Sequence, residues 1–137
     1  MMLPGYALAS QGTQIHVAAW PGREPDQAPP SPAGLWPRQV LLSRAFASQA
    51  GAYVICTAGI NKKDDYPEEY RELVFFEHNG GSCIIDPRGE IIAGPEKGNE
   101  KILIATGSLD IVRSVKAAVD IGGHYSRPDV FRFEVLR

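Results

Sequence analysis

Between residues 15 and 57 the chain reads as strand, long helix, strand, and both strands are apolar enough to be buried. IHVAAW at residues 15–20 is closed by Pro21-Gly22, and YVICT at 53–57 is a continuous β-branched and aromatic run. The helix between them starts at Ser31-Pro32 and runs to about Ala50, where Gly51 stops it. Leu35, Leu42 and Phe46 fall on one of its faces, and Trp36, Val40 and Ala47 make a second apolar patch. A helix apolar on two sides is covered on two sides, by a sheet and by another helix or a partner subunit. Buried strands alternating with helices need cover on both sheet faces, and two or three helices cannot cover both faces of about six strands. The expected fold is therefore α/β and incomplete, one part of a layered domain.

Other elements follow from local signals. Residues 6–11 read as the end of a short helix stopped by Gly12. A helix feeding a buried strand is usually preceded by another strand, so one is expected ahead of Met1. Residues 23–32 are a proline-rich loop, and residues 61–70 a charged, solvated one. Residues 82–86 and 90–93 flank Pro87-Arg88-Gly89 as a β-hairpin. Residues 101–106 read as a strand. Asp110 caps a helix whose apolar face is Ile111, Val115, Ala118 and Val119, and residues 130–136 alternate like a last strand.

The 137 residues suffice for one modest domain, and a net charge of -2 offers no attraction to nucleic acid or to acidic membranes. No apolar run reaches transmembrane length, and the N-terminus has no signal-peptide pattern. Cys56 and Cys83 lie in apolar strands without CxxC spacing, which predicts a reduced, cytoplasmic protein and no disulfide scaffold.

No complete catalytic set is visible. His16, His78 and His124 share no metal-ligand spacing, there is no GxSxG elbow, and GPEKGNEK lacks the phosphate-cradle arrangement. Cys56 reads as a small buried hydrophobe, with a nucleophile at a strand end beside a base as the alternative, and Cys83 is a weaker candidate still. The tail GHYSRPDVF concentrates His124, Tyr125, Arg127 and Asp129. It is either a structural corner, with Arg127 paired to an acid and His124 capping a carbonyl, or a pocket rim or subunit contact.

ALASQGTQIHVAAWPG, SRAFASQAGAYVICTAG, GGSCIIDPRGEIIAGP, EKILIATGSLDIVRSVKAAVD and GGHYSRPDVFRFEVLR resemble, in order, the C-terminal half of the nitrilases. Nitrilases are the branch of the carbon–nitrogen hydrolase superfamily that includes aliphatic nitrilases and cyanide-degrading enzymes. The resemblance covers essentially all of residues 1–137 and implies the C-terminal part of an α-β-β-α sandwich. It implies a cysteine nucleophile, a glutamate base and a lysine that stabilises the charged tetrahedral species, all upstream of Met1. No catalytic position falls within these residues, and no cofactor or metal is implied. Trp20 and Pro21, just past a strand that follows the nucleophile helix, are the candidates for substrate lining, with a core role for Trp20 as the alternative. Two functions remain open. One is a carbon–nitrogen hydrolase that acts on a small nitrile only when completed by its N-terminal half. The other is a non-catalytic module that self-associates or pairs with a full-length nitrilase subunit.

Overall fold

The computed structural model describes residues 2–23, 25 and 35–136. Two helices, α1 (Met2–Ser10) and α2 (Leu35–Ala50), each hand the chain to a strand through a glycine. Gly12 at φ 80° and Gly51 at φ 57° supply the left-handed residue that closes a helix. The Thr13 N–H then donates to Leu8 O at 3.3 Å, and the Ala52 N–H to Ala47 O at 3.0 Å. β1 (Ile15–Trp20) and β2 (Tyr53–Ala58) start soon after and pair in parallel, with Ile15 opposite Tyr53 and Trp20 opposite Ala58. Past Gly59 the chain resumes as β3 (Ile60–Asn61). β4 (His78–Ile85) runs antiparallel to both β2 and β3, and β5 (Ile91–Lys97) runs antiparallel to β4. α3 (Glu68–Arg71) is one turn, and α4 (Leu109–Ala118) follows the sheet.

Register decides which side chains share a face. Ala18, Val54, Cys56, Cys83 and Ile85 pack with Ala47 of α2 as the main core, and Trp20, Phe46 and Ile91 close around them. His16 belongs to the same face, its ring 4.7 Å from that of Phe46. Neighbouring positions point the other way. There Ile15 is 60% exposed, Val17 59% and Ile55 37%. The result is one helix-covered sheet face and one face with bare aliphatic side chains, as expected for part of a layered α/β sandwich.

Several expectations need correction. The face of α2 turned inward carries Trp36, Gln39, Ser43, Ala47 and Ala50, while Leu42 is exposed with Leu41. Two polar residues were invisible to an apolar-pattern reading, yet Ser43 has an interior partner in the Trp20 indole. Residues 101–106 form no strand. No strand among the described residues pairs with them, and Ile102 and Ile104 stay exposed. Residues 130–136 are likewise not a strand. Phe133 instead meets Tyr6 of α1 edge to face at 4.9 Å. The cap of α4 is Ser108, whose Oγ accepts the Asp110 N–H at 3.1 Å, and its buried side chain is Val112. Asp110 pairs with Arg113. Residues 61–70 include a hydrogen-bonded turn and the start of α3, in addition to charged side chains. The expected loop at 23–32 and the start of α2 at Ser31-Pro32 lie almost wholly outside the described residues.

The hairpin turn is held by Asp86. Its buried carboxylate accepts the N–H of Arg88 at 2.9 Å and of Glu90 at 3.1 Å, and pairs with the Arg88 guanidinium. Burial pushes this carboxyl up, but the bonds from Arg88 and the Glu90 N–H more than offset it, so it lies below its ordinary 3.8. A depressed folded value means that its stabilisation is present above the unfolded value and is lost as pH falls through the folded one. Asp86→Ala is expected to cost about 1–3 kcal/mol in urea unfolding at pH 7, because two turn N–H groups lose their acceptor. The penalty should shrink at a pH below the folded value.

Candidate functional site

The carboxyl ends of parallel strands are where α/β sheets open a crevice. Here the ends of β1 and β2 meet the start of β4. The Gly59 N–H donates to Pro21 O at 3.1 Å and the Gly80 N–H to Gly59 O at 3.0 Å. The Arg23 N–H donates to Gly80 O, and the Asn79 N–H to Arg23 O, each at 2.6 Å. Gly22 sits inside this knot at φ 136°, and a Cβ there would lie 2.4 Å from Gly59 O and 2.8 Å from His78 Cβ. Gly22→Ala is therefore expected to destabilise by about 2–4 kcal/mol, from backbone strain and overlap with atoms that cannot withdraw. Chemical denaturation measures it directly.

Beside the knot lies an open hollow of about 550 Å³. Tyr66, Tyr70, Leu73, Phe75, Phe76 and His78 line it. The loop that carries these rings is tied by Asn61, which accepts from Tyr66 OH at 2.7 Å and donates to Phe76 O at 3.1 Å. Such a surface can hold an apolar or aromatic group, but it pairs no nucleophile with a base. Among the described residues no group of three or more His, Cys, Asp or Glu could hold a metal ion.

Trp20 turns toward α2. Its half-buried indole donates from Nε1 to Ser43 Oγ at 3.0 Å and packs on the core. Pro21 is exposed at the strand end. The tail residues stand apart from both. Arg127 and Asp129 form a bidentate pair on the surface, Nε to Oδ1 at 2.8 Å and Nη2 to Oδ2 at 2.7 Å. That pairing raises the Arg127 pKa and lowers that of Asp129. His124 Nε2 lies 3.4 Å from Ala118 O, and its ring stands 5.0 Å from Tyr125. Gly122 lets the tail close on α1, since a Cβ there would lie 2.9 Å from Ser10 Cα.

Sequence reasoning missed the aromatic hollow, because residues 61–78 show charge more plainly than the rings between. It also missed that Cys56 and Cys83 are direct neighbours across β2 and β4. A register is needed to see this, and spacing alone does not supply one.

Comparison with known proteins gives a consistent result. The family model described as carbon-nitrogen hydrolase matches residues 4–117. A protein named Nitrilase 2, from an unknown prokaryotic organism, is 47% identical over 138 residues, covering 100% of this chain and 40% of its own length. An aliphatic nitrilase of Rhodococcus rhodochrous is 35% identical over 134 residues, covering 93% of this chain and 36% of its own. The crystal structure of a carbon-nitrogen hydrolase from Helicobacter pylori G27 superposes with a TM-score of 0.67 at 20% identity, over 93% of this chain and 42% of that one. The chain thus spans about two fifths of the length of these relatives.

Proposed function

The chain belongs to the carbon-nitrogen hydrolase family, and from that premise we propose that its 137 residues serve as the C-terminal part of a nitrilase-type hydrolase. The observation that carries this reading is the bare aliphatic face of Ile15, Val17 and Ile55, on a sheet whose other face is already covered by α2. An N-terminal half supplies the missing cover and, by the family resemblance, the cysteine, glutamate and lysine. A thiolate attacks the nitrile carbon, a base activates it, and a cation stabilises the charge that develops. Without those groups these residues alone do not turn over a nitrile. Their part is to complete the core and to supply one wall, with Trp20 and Pro21 as the wall candidates. His124, Tyr125, Arg127 and Asp129 act as a structural or subunit contact.

The same bare face supports a second reading, in which the chain associates with itself or with a full-length nitrilase subunit without catalysing anything. Among the described residues no helix is long and apolar enough to cross a membrane. With both cysteines free, we take the cytoplasm as the site of action. Co-expression with the N-terminal portion of Nitrilase 2 tests the pairing. A stoichiometric complex that survives size exclusion is expected. Two separately migrating species would overturn the first reading.

A further inference from the structure

We propose that Cys56 and Cys83 form a peroxide-responsive thiol pair that closes into a cross-strand disulfide beneath α2. The two residues are direct partners in the antiparallel β2–β4 ladder and point to the same helix-covered face. Directly opposed residues on such a ladder have Cβ atoms roughly 4.5–5.5 Å apart, against about 3.5–4.5 Å in a disulfide. A small inward movement is enough to close the bond, and the strain that remains makes the product easy to reduce.

The surroundings assign different roles to the two sulfurs. The Trp20 indole N–H donates to Ser43 Oγ at 3.0 Å, and Ser43 stands near the sulfur of Cys56. Cys83 is its ladder partner on β4. The neighbouring Cys83 thiol, and Ser43 after it, lower the pKa of the Cys56 thiol against the effect of burial. The contact with Cys56, with burial and the Cys56 charge added, pushes the Cys83 thiol well above its ordinary value. The two thiols titrate as a pair, and within the proposal Cys56, the sulfur next to Ser43, reacts first while Cys83 keeps its proton and resolves it.

The oxidant must be small and neutral, because Cys56 is only 2% exposed and Cys83 fully covered. Hydrogen peroxide meets that requirement. The Cys56 thiolate attacks one peroxide oxygen, the O–O bond breaks, and hydroxide leaves. Sulfur is oxidised by two electrons to a sulfenic acid. Cys83 sulfur then attacks the sulfenic sulfur. The S–S bond forms, the S–O bond breaks, and the departing hydroxyl leaves as water with the Cys83 proton. The disulfide staples β2 to β4, and a dithiol reductant reverses it. This inference stands apart from the catalytic reading, since it uses only residues of this chain under its own helix.

The experiment is peroxide treatment of the folded protein, identified by its near-ultraviolet circular dichroism, followed by denaturation, maleimide alkylation and intact-mass measurement. A loss of about 2 Da with no alkylated thiol is expected, with the 56 and 83 peptides linked within one chain and released by dithiothreitol. Glutathione disulfide, too bulky to enter, should leave both thiols free. In Cys83→Ser a diketone probe should trap a sulfenic acid at Cys56, whereas in Cys56→Ser the remaining thiol should stay reduced. Two alkylated thiols after peroxide, links between chains, sulfinic acid without a disulfide, or a glutathione adduct would each overturn the proposal. The wild-type result decides by itself should either variant unfold.

Discussion

Val17→Asp combined with Ile55→Asp will have opposite consequences in two contexts. In the 137-residue chain alone it will shift sedimentation from associated species toward monomer. In a chimera that joins the N-terminal portion of Nitrilase 2 to this chain it will abolish folding. The reason lies in the bare sheet face. Fully burying a Val or Ile side chain stabilises by about 1.5–3 kcal/mol, and Val17 and Ile15 keep more than half of their surface exposed. Exposed aliphatic rows of this kind drive association, so carboxylates on the row favour the dispersed chain. Under a second sheet the same carboxylates are unpaired buried charges, each costing on the order of several kcal/mol. Two of them consume most of a net stability of about 5–15 kcal/mol. A chimera that keeps its melting transition and solubility with both aspartates in place would mean that this face looks onto water in the joined protein.

How much of this was readable beforehand depended on whether a signal was local. β1, β2, the end of α2 and the turn between β4 and β5 stand where their residues indicate, because glycine stops such as Gly51 and the Pro87-Arg88-Gly89 turn act on their immediate neighbours, whereas β4 begins earlier than residue 82 and β5 runs beyond residue 93. Residues 101–106 are an apolar, strand-like run, yet a strand also needs a ladder partner, which composition cannot supply. The inward face of α2 was misread for a related reason. Ser43 looks like a surface residue until the Trp20 indole is seen to donate to it across 23 positions of sequence. Of the candidate site residues, Arg127 was readable as paired to an acid, and coordinates were needed to show that the acid is Asp129. The aromatic hollow and the Cys56–Cys83 pairing depend on the fold, and only coordinates reveal them. The family resemblance was legible because its motifs are short, ordered and spread over the whole chain.

The central claim is that these residues complete a nitrilase without containing its reacting groups. Nucleophile, base and charge-stabilising cation work as a unit, and losing such a unit costs on the order of 10⁶ in rate. What this chain keeps is packing surface, an apolar hollow and two cysteines. Burial of those cysteines beneath α2 keeps bulky aliphatic and aromatic nitriles from them. The most direct test is ammonia release from a panel of aliphatic and aromatic nitriles, measured for the 137-residue chain and for the Nitrilase 2 chimera side by side. The account predicts release equal to buffer from the chain, and turnover by the chimera that disappears when the nucleophilic cysteine of its Nitrilase 2 portion is replaced by alanine. Release above buffer from the chain alone, abolished by Cys56→Ala or Cys83→Ala, would contradict it.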